Sequence, residues 1–358
     1  MGYRPAGGGG GGPSTYFGDH VLTVAPTGQG AQFDSIQAAI DYADTVLPDG
    51  EGVGILVAPG YYDEDVILRR DNTHFNGLAG GLGGIVIKSM CVSDCTLASI
   101  ANFRDPAHAD KGDPTKLVRD AARFATKAIP RTISFTNIRF GRRTNVPAWF
   151  SGTDGVWDPS TSKYNHDSAL FSFSALSAPV AGTTFLGDVL ALIGCVTDTA
   201  EGAVPNAPNG YYFCYAGNPV FLNSIAGDGI VTHNCGGCLM LKSLAFSPMV
   251  TFYDAAEAEP AGSSRQGFGM MDVQSMAGIN AIGPNGNNSF ALGSTINVEY
   301  KTESTDAAAF SYFLNTCING NLEITNLGPS ILMQMGRYSN PCAGAGAAGF
   351  TEVVGFGT

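Results

Sequence analysis

Cys235-Gly236-Gly237-Cys238, with His233 just before it, has the spacing of a metal or redox pair. A structural zinc site needs four ligands, and no second pair stands at matching spacing; Cys91 and Cys95 are too isolated in sequence to complete one. A thioredoxin-like pair would open a helix after a strand, whereas the surroundings of Cys235 read as strand. Small thiols in a strand pattern fit a packed core, so no metal and no cofactor is expected. Asp188, Asp198, Asp228, Asp254 and Asp272 stand beside strand-like runs, and glycoside hydrolysis requires two carboxylates on one face. Each equally ends a strand or bonds within a turn, so no catalytic residue is assigned. No Ser-centred G-x-S-x-G elbow occurs, and the glycine run 7–12 lacks the Lys-Ser/Thr of a phosphate loop.

Two further groups suit recognition rather than reaction. Trp149, Trp157 and Tyr164 fall in one excursion, 145–167, and are the candidates for stacking on sugar rings. Arg139, Arg142 and Arg143, together with Arg131 and the segment 104–127, form the one basic region of an acidic chain and are docking candidates.

The elements that must position such residues are short. Of 358 residues, 14% are charged and 44% hydrophobic, with 48 glycines, which suits many brief strands and tight turns. A net charge of −12 argues against whole-chain affinity for nucleic acid or anionic membrane and favours a protein or carbohydrate partner. Eight cysteines in this length are no disulfide framework, and no apolar stretch approaches a membrane span. With no basic start and apolar core at the N-terminus, the expectation is synthesis and assembly in a host cytoplasm.

A strand at Val21–Val24 runs into a glycine turn, and an amphipathic helix begins at Asp34 or Ser35, with Ile36, Ala39, Ile40 and Ala43 on one face. Gly54–Val57 is a strand ended by Ala58-Pro59-Gly60. Brief apolar runs then recur to Met335, as successive rungs of a stack would. A helix laid across one end of such a stack closes it. Asn137, Asn223, Asn234 and Asn315, with Cys195, Cys235 and Cys317, sit beside these runs. Inward Asn amides bonding from rung to rung and Cys filling the core is the expected arrangement. Asp63, Glu64 and Asp65 are expected to be solvated.

Val24-Ala25-Pro26-Thr27-Gly28-Gln29-Gly30, Phe33-Asp34-Ser35-Ile36-Gln37-Ala38-Ala39-Ile40 and the G-x-Y-x-E pattern Gly60-Tyr61-Tyr62-Asp63-Glu64 resemble the start of the pectin methylesterase and pectate-lyase-like superfamily, which includes phage tailspikes. The resemblance covers the first ninety residues, roughly, and implies an all-β, single-stranded right-handed parallel β-helix (solenoid) with an N-terminal capping helix and lateral excursions. The family's catalytic blocks do not follow: no Q-D-T-L-like, D-F-I-F-G-like or L-G-R-P-W-like segment occurs, and no Arg-Pro-x-x-Arg.

The domain reading is a flexible Gly-rich arm over 1–18, a β-helix over 19–340 and a tail over 341–358. Within the β-helix lie the cap (19–62), a helical, basic excursion (104–130) whose helix begins at Pro114 or Thr115, and a loop excursion (145–167). By analogy with viral β-helices, the expectation is a non-enzymatic virion structural protein of a phage, capsid-decorating or spike, contacting other virion proteins and itself, trimer favoured. The alternatives are a carbohydrate-active tailspike, hydrolase or lyase, on host surface polysaccharide and a non-catalytic glycan-binding adhesin.

Overall fold

The computed structural model describes residues 18–78, 84–105, 107–110 and 116–141, and beyond these 157–158, 163–164, 171–173, 189–197, 211–214, 218–227, 230–233, 235, 238–246, 249–252, 266–276, 278–282, 288–304, 311–314, 316–326, 330–334 and 350–354. The arm 1–17 and most of the 145–167 excursion and the tail lie outside these residues.

The chain opens with β1 (His20–Val24), α1 (Ile36–Val46), β2 (Val53–Val57), β3 (Gly60–Leu68), β4 (Thr73–Gly77) and β5 (Ile85–Val92). After α2 (Leu97–Arg104) come β6 (Thr132–Thr136) and β7 (Arg139–Phe140). Every strand of the coil pairs in parallel with its equivalent one turn later, which makes the architecture a parallel β-helix. Face one is a 12-stranded sheet running β1, β2, β4, β6, then Val189–Ile193, Asn218–Leu222, Cys238–Leu241 and onward to Phe350–Val354. Faces two and three together form a 14-stranded sheet. Face two holds β7, Val196–Thr197, Ile225–Ala226, Leu244–Ala245 and Gln274–Ser275; face three holds Phe171–Phe173, Tyr211–Cys214, Ile230–His233, Met249–Phe252 and Ile279–Ile282. The two faces run together as single long strands at β5 and at Thr295–Ser304, so the sheet closes on itself at both ends.

Between faces one and two the chain turns on a single residue in the left-handed region: Asn137, Gly194, Asn223, Lys242, Asp272 and Gly293, with φ of 56°, 61°, 49°, 48°, 54° and 58°. Asn, Asp and Gly tolerate this conformation better than other residues, which is why they recur at this step. The corner backbone is itself a ladder, since each corner N–H donates to the carbonyl ending face one in the next coil, Asn137 to Ile193 and Asn223 to Leu241 for example. This corrects the expected inward Asn amides at Asn137 and Asn223, which stand at the corners, Asn223 exposed; Asn234 and Asn315 lie outside the described residues. The inward column comprises the residues just after them: Ile138, Cys195, Ser224, Ser243, Val273, Ser294 and Thr316. Ser224 Oγ donates to Leu192 O at 2.8 Å and accepts Cys195 N–H at 3.1 Å; Ser243 Oγ accepts Ser224 N–H at 3.2 Å. A hydroxyl fits this step because it satisfies a corner N–H and a strand carbonyl that the sheets leave over.

The core is a stack of inward side chains. Phe75 and Phe135 lie face to face with centroids 4.8 Å apart, and Phe140, Tyr211, Phe213 and Phe221 continue the contacts. Each fully buried ring contributes on the order of 1.5–3 kcal/mol. Cys91, Cys95, Cys195, Cys235 and Cys238 are buried. Cys235 and Cys238 are therefore core residues.

At the N-terminal end α1 buries Ile36, Ala39, Ile40 and Ala43, as its periodicity predicts, and Ser35 caps it by accepting Ala38 N–H. The basic excursion departs from expectation. The described helix is α2, before the proposed start; Pro114 and Thr115 lie outside the described residues, and over 117–131 the helical structure is one 3-10 turn, Arg123–Ala125. Backbone pairing pre-empts a helix there: Thr96 N–H donates to Val118 O, Cys95 bridges Arg119, and Ser99 Oγ accepts Val118 N–H.

Candidate functional site

Successive side chains of a strand point to opposite faces, so the residues between the core positions of face one form two outward columns. The first reads, in register, Val21, Gly54, His74, Ser134, Ala191, Val220, Leu239, Gly269 and Phe290. The second reads Thr23, Leu56, Asn76, Thr136, Ile193, Leu222, Leu241, Met271, Leu292 and Leu314. Across the corner, face two adds Arg139, Val196, Ile225, Leu244, Gln274 and Thr295. Face one thus changes character along the coil, polar at His74, Ser134, Asn76 and Thr136 and apolar from Ala191 onward, while face two is apolar at Val196, Ile225 and Leu244 and polar at Gln274 and Thr295.

At the polar end three side chains are hydrogen-bonded in series. Asn72, left-handed at φ 49° just before β4, donates from Nδ2 to Gly50 O at 3.2 Å. Its Oδ1 therefore faces His74 Nε2, 3.1 Å away, and accepts that proton. The tautomer is then set: His74 Nδ1 carries the lone pair and accepts from Ser134 Oγ at 2.8 Å. Burial holds the His74 pKa below its ordinary 6.5, against the opposing pull of Asp71, so the ring favours the neutral, proton-accepting form. Gly52 keeps space for this arrangement, since a Cβ there would stand 3.3 Å from Asn72 Nδ2. A hydroxyl on a neutral imidazole that is oriented by a third group is the arrangement that prepares a nucleophile.

The remainder is a wedge. Two apolar columns on face one and Val196, Ile225 and Leu244 on face two flank the corner ridge of Asn223, Lys242 and Asp272, and Phe246 and Met276 lie beyond, 47% and 44% exposed. Met271 and Leu314 are 42% and 37% exposed. Gly269 is part of the same surface: its missing side chain lets the Phe290 ring lie where a Cβ would be 2.6 Å from two ring carbons.

The basic excursion faces inward to its own chain. Arg123 pairs with Asp44 at 2.5 Å and donates to Arg69 O, Arg69 pairs with Asp120, and Arg119 Nε lies 3.4 Å from Asp94. Lys127 Nζ donates to Asp44 O at 2.9 Å, and Ala128 N–H to Asp49. Phe124 lies beneath both guanidinium groups of Arg69 and Arg123. The segment is a strap that Arg123 and Lys127 tie to Asp44 on α1. Arg139 heads the outward column of face two, while Arg142, Arg143 and Trp149 lie outside the described residues. Trp157 and Tyr164 are directly opposed partners in a two-stranded antiparallel ribbon, Trp157–Asp158 against Lys163–Tyr164. Of the five aspartates only Asp272 falls within the described residues, at a corner; Asp188, Asp198, Asp228 and Asp254 lie outside them.

Sequence reasoning missed Asn72, His74 and Ser134. No motif joins them, because a single Ser and a single His in different coils become neighbours only through the strand register. Among the described residues no group of three or more His, Cys, Asp or Glu could hold a metal ion, and no helix is long and apolar enough to cross a membrane.

No family model and no curated protein matches the chain. Among solved structures it is similar to pectin methylesterase PemA from Erwinia chrysanthemi, at 13% identity and TM-score 0.41, over 93% of this chain and 92% of that one. It is similar also to a pectin methylesterase in complex with hexasaccharide VII, at 12% identity and TM-score 0.43, over 93% and 92% of the two chains. A third likeness is to pectin methylesterase from carrot, at 12% identity and TM-score 0.33, over 98% and 91%. The strand register, rather than these likenesses, establishes the coil.

Proposed function

We propose that this chain is an assembly protein of a phage virion surface, a capsid-decorating or spike protein that works as a trimer of parallel coils. The observation that carries the assembly reading is the outward apolar wedge. With strands about 4.8 Å apart, the six-residue column from Ile193 to Leu314 runs about 24 Å along the coil. A contiguous row of partly exposed apolar side chains of that length marks an interaction surface. Its occupant is a second copy of this chain, whose ridges repeat at the same rung spacing and whose corner carries one charge of each sign, Lys242 and Asp272, that can pair with the opposite charge of a neighbour. Apolar side chains stand on both flanks of the corner, with Val196, Ile225 and Leu244 on face two, so a ring closed about an axis parallel to the coil covers both in every copy. The virion setting is supported by the sequence: a Gly-rich arm, few charges and an acidic balance.

Light scattering at micromolar concentration tests the assembly. The expected mass is three times the 37.1 kDa of the chain, and Leu241→Glu with Met271→Glu reduces it to one. A monomeric wild type ends the reading. Mass spectrometry of purified particles tests the virion setting: absence of the chain excludes it.

A second reading, a glycan-binding or carbohydrate-active spike, is favoured by the Trp157–Tyr164 ribbon, which sets two aromatic positions directly opposite each other as a sugar-stacking surface requires. New reducing ends from host surface polysaccharide would support the enzymatic form; saturable binding without cleavage would support the adhesin.

A further inference from the structure

We propose that Ser134 is an activated nucleophile, with His74 as its base and Asn72 as the positioning residue, in a site for acyl transfer from small esters with an apolar acyl group. Nucleophile, base and orienting group stand within hydrogen-bond reach in the required order, 2.8 Å and then 3.1 Å. The direction of each proton is set by the Asn72 amide on Gly50 O, so His74 presents a lone pair, not an N–H, to the serine. The residues beside the pair in its outward column are the smallest available, Gly54 next to His74 and Ala191 next to Ser134, which leaves the hydroxyl approachable along the face.

Ser134 Oγ attacks the ester carbonyl carbon as its proton passes to His74 Nδ1. The tetrahedral oxyanion collapses with loss of the alkoxide, which takes the proton from His74 and leaves as alcohol. Water then adds to the acyl-serine, giving its proton to His74 Nδ1, and the serine departs with that proton as the carboxylic acid is released. Asn76, two residues on from His74 and on the same outward face, is the side-chain amide in register to donate to the oxyanion. The apolar columns that begin at Ala191 and Ile193 would receive the acyl chain, which sets the substrate class. This inference goes beyond the assembly reading and does not rest on it.

An alkyl fluorophosphonate, which forms a P–O bond to an activated serine as fluoride leaves, is the direct probe on the full chain, with peptide mapping to locate the adduct. Ser134 is expected to label at least 10-fold faster than any other serine, His74→Gln to slow labelling about 100-fold, and Asn72→Ala about 10-fold. Hydrolysis of p-nitrophenyl butyrate should disappear in Ser134→Ala, and Asn72→Ala, which removes the acceptor that favours the imidazolium, should lower the pH at which its rate is half-maximal. Far-UV circular dichroism and solution mass equal to wild type are required of each variant. Labelling of Ser134 no faster than of other serines in the wild type, or hydrolysis undiminished in Ser134→Ala, overturns the proposal.

Discussion

Glu64, on β3, caps a helix that begins 28 residues before it: its Oε1 accepts the backbone N–H of Ile36 at 3.0 Å at the start of α1. Its Oε2 accepts both the Ser35 hydroxyl at 2.7 Å and Gln37 N–H at 3.0 Å. A carboxylate from another coil thus satisfies two of the free donors of the first turn and sits at the positive end of the helix dipole. Neighbouring parts of the same pattern act together with it. Tyr62 OH donates to Ala58 O at 2.9 Å, and a Cβ on Gly60 would come within 2.4 Å of Pro26 Cγ. Gly60, Tyr62 and Glu64 join the first strand, the turn and the helix into one closed end.

Removing that carboxylate should loosen the end of the coil. Glu64→Ala deletes three charge-assisted hydrogen bonds while leaving the Ser35 cap on Ala38, and the expected loss is about 2–3 kcal/mol. The urea midpoint, compared with that of Glu64→Gln, measures it. Glu64→Gln keeps acceptor oxygen and should cost less than half as much.

Corner residues differ in how well they suit the left-handed turn. Lys242, at φ 48°, has neither the side-chain bonding of Asn nor the freedom of Gly. A left-handed L-residue costs about 1–2 kcal/mol, against about 0.5–1 kcal/mol for the entropy of fixing a glycine. Lys242→Gly should therefore stabilise by roughly 0.5–1 kcal/mol, and Asn223→Ala should destabilise by about 1 kcal/mol. Thermal midpoints of the two variants should move in opposite directions.

The fold was legible where local chemistry and architecture coincide. The face of α1 follows from Ile36, Ala39, Ile40 and Ala43, and the run lengths alone set short strands in place of helices. Glu64 was not legible, because its partner is another coil and its spacing looks like a solvated turn. Asn223 was seen but placed inward, since the sequence marks a recurring residue without saying which side of the sheet it occupies. The basic excursion is a related case: Arg123 reads as free charge in the sequence until Asp44 is brought beside it. The candidate site was the least legible part, as Ser134 and His74 meet only when β4 and β6 pair.

His74 provides a pH signature independent of any activity. Its pKa in the fold lies below 6.5, with desolvation the larger cause and Asp71 the charged group opposing it; Ser134 and Asn72, its direct partners, are neutral. The unfolded chain then binds a proton at higher pH than the fold does. Stability from the neutral ring is complete above about pH 6.5 and declines as pH falls through the folded pKa. The stability difference between wild type and His74→Gln should be constant above pH 6.5 and shrink below it. Urea titrations at pH 5 and pH 8 measure this; a difference that grows toward acid would mean the ring is stabilised in its charged form.

The buried thiols should report on the coil as a whole. Burial pushes Cys195 up to about 12, and raises Cys95 and Cys238 as well, with Asp94 adding to the effect at Cys95 and Cys235 at Cys238. Alkylation requires the thiolate and access to it, and these thiols lack both in the fold. Iodoacetamide at pH 8 should leave Cys91, Cys95, Cys195, Cys235 and Cys238 unmodified in native buffer, as peptide mapping will show. Their modification in urea should rise together, in step with the loss of far-UV signal, because neighbouring rungs share one continuous core. Earlier reaction at Cys235 and Cys238 than at Cys91 and Cys95 would instead show that the C-terminal coils open before the capped end, placing the stability of the molecule at the helix that closes it.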